Sequence, residues 1–141
     1  MTGITKVRSL STVAFETLGS GGKGVFTMPV ETTVVDGILL VHLAGELDHH
    51  AVESIRQDIE TGLESVRHRG LVLSFRGIDF MDSSGLGLIL GRYRSVKEHK
   101  GRMALCEVNT TLSKLFELSG ILKILPVFES EQAAILALKE A

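Results

Sequence analysis

Five residues, Leu71-Val72-Leu73-Ser74-Phe75, leave few folds open to this chain. They lack the in-out alternation of a half-buried strand and are too few for a helix. A run of that kind is a strand covered on both faces, and such strands pair in parallel beneath packed helices. The flanking sequence supplies helices. Ala51, Ile55, Ile59, Leu63 and Val66 recur at helical spacing on one side of it, and Leu86, Ile89, Leu90, Tyr93 and Val96 do so on the other. The expected class is therefore α/β with one mixed sheet.

Upstream, Val30 to Val35 and Ile38 to Ala44 are strand-like and Asp36-Gly37 between them tolerates the positive φ of a tight turn, so a β-hairpin opens the ordered region. Downstream, Met103 to Cys106 is a short strand, and Asn109-Thr110-Thr111 caps a helix carrying Leu112, Leu115 and Phe116 that ends at Gly120. Ile124 to Phe128 is a weak strand that Pro126 places at the sheet edge. Ser130 caps a last helix with Ala133, Leu136 and Ala137 inward. Residues 1–27 show no periodicity and include Gly19-Ser20-Gly21-Gly22-Lys23-Gly24, which reads as a flexible extension. Lys23 is followed by Gly24 rather than Ser or Thr, so the run is no phosphate-binding loop. Met28 opens the ordered pattern and offers a second start.

Composition narrows the function. The 141 residues are 44% hydrophobic, enough for one core, and the formal net charge of −2 lacks the basic excess of a nucleic-acid binder. With Lys6, Arg8 and Lys23 against Glu16 in residues 1–27, the remainder holds −4. No Trp and a single Tyr leave little for stacking bases or sugars. Cys106 stands alone, which rules out an intrachain disulfide and a Cys-rich zinc site. No apolar run approaches the roughly 18 residues of a membrane span, and no apolar stretch follows Lys6 and Arg8 as in a secretory signal. The expectation is a cytoplasmic protein with no cofactor, no membrane and no nucleic acid among its partners.

Asp82-Ser83-Ser84-Gly85 is the stretch richest in chemistry, because it puts two hydroxyls at a strand-to-helix turn where unpaired amides favour negative charge. Spacing alone leaves two readings, a helix cap supplied by Asp82 or a serine, and a site for an anion. A nucleophilic triad of Ser83 with His49 or His50 and Asp48 would need a base within reach of the serine, and no Gly-x-Ser-x-Gly elbow surrounds it. His49 and His50 diverge by about 100° at a helix start, so a solvated turn suits them better than a metal site. His42 reads as packed on one face of a strand, His68 and His99 as surface, Cys106 as a core hydrophobe. Arg92, Arg94, Lys97, Lys100 and Arg102 read as a solvated face, with docking of a partner as the alternative.

Phe80-Met81-Asp82-Ser83-Ser84-Gly85-Leu86-Gly87-Leu88-Ile89-Leu90-Gly91-Arg92-Tyr93 resembles the signature of STAS-domain anti-sigma factor antagonists. Leu43-Ala44-Gly45-Glu46-Leu47-Asp48-His49-His50 and Leu115-Phe116-Glu117-Leu118-Ser119-Gly120-Ile121-Leu122-Lys123-Ile124 extend the likeness over roughly residues 29–139. It is strongest to the anti-sigma-F antagonists of spore-forming bacteria. The resemblance implies a STAS fold over 28–141, a mixed sheet with an N-terminal hairpin and about four helices. It implies a switch rather than an enzyme: the unphosphorylated protein binds an anti-sigma factor, itself a serine kinase, and frees the sigma factor. Phosphorylation then maps to Ser83, reversed by a metal-dependent serine phosphatase, with Asp48, Glu46, Asp82, Ser84 and Gly85 as partner-binding residues. A structural STAS module of a stressosome or lipid-transport system is the alternative. The free chain is expected to be a monomer.

Overall fold

The computed structural model describes residues 4–13, 26–67 and 69–140. The strands are β1 (Ile4–Val13), β2 (Phe26–Val35), β3 (Ile38–Leu47), β4 (Gly70–Met81), β5 (Arg102–Cys106) and β6 (Val127–Phe128). The helices are α1 (His49–Ser65), α2 (Ser83–Glu98), α3 (Thr110–Ser119) and α4 (Glu131–Glu140), with a short 3₁₀ turn at Ile121–Lys123. The strands form one sheet in sequence order, antiparallel from β1 to β3 and parallel from β3 to β6.

The β2–β3 hairpin closes through Asp36 and Gly37 at φ 50° and 82°, a pair of left-handed residues that matches the twist of the flanking strands. In β4, Leu71, Leu73 and Phe75 belong to the larger core under α1, α2 and α3, while Val72 belongs to a smaller cluster with Ile38, Leu40, Ala104 and Cys106 beneath α4. Both faces being covered is why the run shows no alternation. On α1 the expected stripe is buried at Ala51, Ile55, Ile59 and Leu63. Each Ile or Leu so buried contributes roughly 1.5–3 kcal/mol.

Several expectations about the elements differ from the structure. Ile4–Val13, inside the stretch read as a flexible extension, forms β1 and pairs residue for residue with β2. A backbone ladder against an open strand edge needs no side-chain periodicity, so the strand leaves no periodic pattern in the sequence. Phe26 and Thr27 of that stretch already belong to β2, two residues ahead of the expected start at Met28, and residues 1–3 and 14–25 with the Gly19–Gly24 run lie outside the described residues, as does His68. On α2 the buried face is Gly85, Leu88, Ile89, Arg92 and Val96, and Leu90 points outward. On α4 Ala134 is buried, with Ile135 and Leu138 packed beside it, whereas Ala133 and Leu136 are exposed. Small alanines flanking the true contact residue leave a weak moment that shifts by one position. Only Val127–Phe128 of the expected Ile124–Phe128 strand pairs with β5, at the sheet edge, after the 3₁₀ turn. No helix among the described residues is long and apolar enough to cross a membrane.

Candidate functional site

Parallel strands β3, β4 and β5 end on the same side of the sheet, and each feeds a helix there. Leu47 and Met81 are register partners, so Asp48 and Asp82, the next residues, sit side by side. Each caps the helix that follows. Asp48 Oδ1 accepts from the amides of His50 and Ala51, both at 3.0 Å. Asp82 Oδ1 accepts from the Ser84 amide at 2.8 Å. The Asp82 amide donates to the Leu47 carbonyl at 3.3 Å and ties the two turns together. Asn109 does the same work for α3, accepting from the Leu112 amide at 2.9 Å and donating weakly to the Ile78 carbonyl.

This settles which residue caps α2. Asp82 does so from extended backbone, φ −106° and ψ −170°. Ser83 is therefore the first helical residue, exposed, and its hydroxyl makes no hydrogen bond among the described residues. Ser84 is partly buried and lines a 310 Å³ groove between α1 and α2 with His49, Val52, Glu53 and Arg56. Glu53 and Arg56 form an ion pair on its rim, which holds the Glu53 carboxyl below its ordinary value. Glu46 is exposed at the end of β3. Gly85 is buried, and a Cβ there would stand 2.3 Å from Met81 Cγ and 3.2 Å from the Leu47 carbonyl oxygen. Its place is to let the first turn of α2 lie on the strand ends, so it shapes the site from beneath.

No hydrogen bond joins the side chains of Ser83, His49 or His50 and Asp48 among the described residues. The Asp48 carboxylate is spent on backbone amides, while His49 and His50 are exposed and stack edge-on with each other at 5.7 Å. Among the described residues no group of three or more His, Cys, Asp or Glu gathers to hold a metal. Cys106 is fully buried, and burial pushes its thiol up to about 12.

Arg92, expected on a solvated face, departs from that expectation. It is 8% exposed, with its Nε 2.9 Å from Glu60 Oε2 across the α1–α2 interface. Ser95 donates to the other Glu60 oxygen at 3.3 Å. The cause is helical phase, since Arg92 follows Leu88 by one turn on the buried side. Desolvation there lowers the guanidinium pKa from its ordinary value. Phe80, part of the motif but with no role expected of it, is the register partner of Glu46 and is 50% exposed beside the caps. The signal was an aromatic between Asp79 and Asp82, past the point where helices cover β4.

A STAS domain profile matches residues 29–134, three quarters of the chain. The chain belongs to the STAS domain family. An anti-sigma F factor antagonist of Paenibacillus polymyxa is 41% identical over 103 residues, covering 73% of this chain and 88% of that protein. Among solved structures, the anti-sigma factor antagonist SpoIIAA in its unphosphorylated form superposes with a TM-score of 0.60 at 34% identity, covering 74% of this chain and 92% of that one. The phosphorylated form of the Bacillus cell-fate determinant SpoIIAA gives 0.56 at 38% identity, over 70% and 88% of the two chains. The STAS fold expected from the motifs is thus the fold observed, with β1 added before the hairpin.

Proposed function

We propose that this STAS domain is an anti-sigma factor antagonist switched by phosphorylation of Ser83. Unmodified, it binds an anti-sigma factor that is also a serine kinase and makes it release its sigma factor, here the sporulation factor sigma-F. The kinase inactivates it by modifying Ser83, and a metal-dependent serine phosphatase restores it. Asp48, Glu46, Asp82 and Ser84 lie on the contact surface, and Phe80 joins them as its apolar element.

The observation that carries this reading is the division of labour at the start of α2. Because Asp82 satisfies the first turn, Ser83 offers an exposed hydroxyl with no structural duty. A phosphate there adds about −1.5 to −2 charge, which the helix N-terminus favours by roughly 0.3–1 kcal/mol while Asp82 repels it. The fold absorbs that small balance. A partner packed on the same surface must accommodate a desolvated dianion beside two carboxylates, a far larger cost. The names of the relatives support the antagonist role, and the solved phosphorylated form of SpoIIAA supports a chemical switch in a similar fold.

The test is to incubate the purified chain with an anti-sigma-F kinase and ATP and to read intact mass and the modified position. A single phosphate on Ser83 is expected, with Ser83→Ala retaining kinase binding and Ser83→Asp losing it. Phosphate on another residue, or equal binding by Ser83→Asp, would sink the proposal and favour a structural STAS module.

A further inference from the structure

The far end of α2 carries a surface of a different character. Leu90, Tyr93, Arg94, Lys97 and Ile124 line a 550 Å³ concavity, and a second of 330 Å³ shares Tyr93, Lys97 and Ile124 and runs on to Arg102 and Phe128. The apolar residues are displayed rather than packed away, Ile124 being 46% and Leu90 37% exposed. Around them stand Arg94, Lys97, Arg102 and, next to Ile124, Lys123. All four are exposed, and none forms an ion pair among the described residues. Glu98 is the single acid lining the two concavities. The body of the chain carries a net charge of −4, so this concentration of cations is a local inversion of its field.

We infer that this groove docks an acidic amphipathic segment of a second protein, at a site separate from the Ser83 surface. An apolar floor with a cationic rim complements a helix that presents apolar side chains on one stripe and carboxylates on its flanks. Leu90 and Ile124 are only part-exposed and do not project as free apolar wedges, which suits a helix laid against them rather than insertion into a lipid bilayer. Lys97 lies 14 residues beyond Ser83, about 21 Å along the helix at 1.5 Å per residue. That distance exceeds the roughly 8 Å over which exposed charges are felt at physiological salt, so occupation of the groove is independent of the phosphorylation state.

A synthetic amphipathic helical peptide with Leu on one face and Glu on the other is the probe, followed through the amide resonances of the full chain. The Glu peptide is expected to move the amides of Leu90, Tyr93, Lys97 and Ile124, and its affinity to fall about tenfold in the Arg94→Glu/Lys97→Glu chain. Ile124→Ser, which changes no charge, is expected to weaken it as well and keeps the test open should the charge-reversed chain misfold. Ser83→Asp should bind as the parent does, so this result stands or falls apart from the kinase experiment. The inference is overturned by equal binding of a peptide with Lys in place of Glu, by shifts confined to the Asp48–Ser84 end, or by no shift at millimolar peptide. It is equally overturned if phosphatidylglycerol vesicles sediment the chain while the Glu peptide leaves its resonances unmoved.

Discussion

Gly85 and Ser83 stand two positions apart and answer to different constraints. Gly85 is fixed by space, since any side chain there meets Met81 and the Leu47 carbonyl at the floor of the site. Gly85→Ala is expected to destabilise the fold by about 1–3 kcal/mol through overpacking, against a change within about 0.5 kcal/mol for Ser83→Ala, both read by urea unfolding. Cys106 shows the same contrast between sequence and surroundings. Its thiol is held neutral by burial, with a pKa raised to about 12, so it should resist alkylation at pH 8 in the native state and react once urea exposes it. A thiol pKa raised on folding contributes stability that is present below the unfolded thiol value and lost as pH climbs toward 12. Rapid alkylation of the folded chain at pH 8 would contradict the burial.

At the scale of elements, the two helices that begin at the site are held to each other by Glu60 and Arg92, with Ser95 as a third member. The Arg92 side chain is only 10% exposed at this contact, which makes the loss of its partner expensive. Glu60→Ala should cost about 2 kcal/mol, because it leaves the Arg92 guanidinium buried without its counter-charge. Glu60→Leu combined with Arg92→Leu should cost less than Glu60→Ala alone, since no orphan charge remains. Equilibrium unfolding of the single and double variants measures both, and a double variant worse than the single would show that the pair contributes net stability.

Across the whole molecule, the sheet places its parallel strand ends, two aspartate caps and one uncommitted serine on a single edge, while the apolar, cationic groove lies toward the other end of α2. A modification at the first location should leave the second and the core untouched. The phosphorylated chain is accordingly expected to melt cooperatively within a few degrees of the unmodified one, the displacement that a balance under about 1 kcal/mol produces in a domain of this size. Calorimetry on the two forms checks this. A collapsed transition after phosphorylation would mean that the switch works by unfolding rather than by charge at an interface.

The sequence was enough for those features that depend on near neighbours. Periodicity gave α1, uninterrupted apolarity gave β4 its place under two layers, Asp36-Gly37 gave the hairpin, and a contiguous motif drew attention to Ser83. What it could not supply were relations between residues distant along the chain. Strand β1 exists because β2 offers an unpaired edge. Helical phase turns Arg92 inward, but that its charge meets Glu60 there is decided by the packing of a separate helix. The Ser83 hydroxyl is free because Asp82 turns inward to the helix amides while its own amide is anchored to Leu47. Local preference is written into each short segment, whereas partnership is decided only when the backbone brings separate segments within hydrogen-bonding reach.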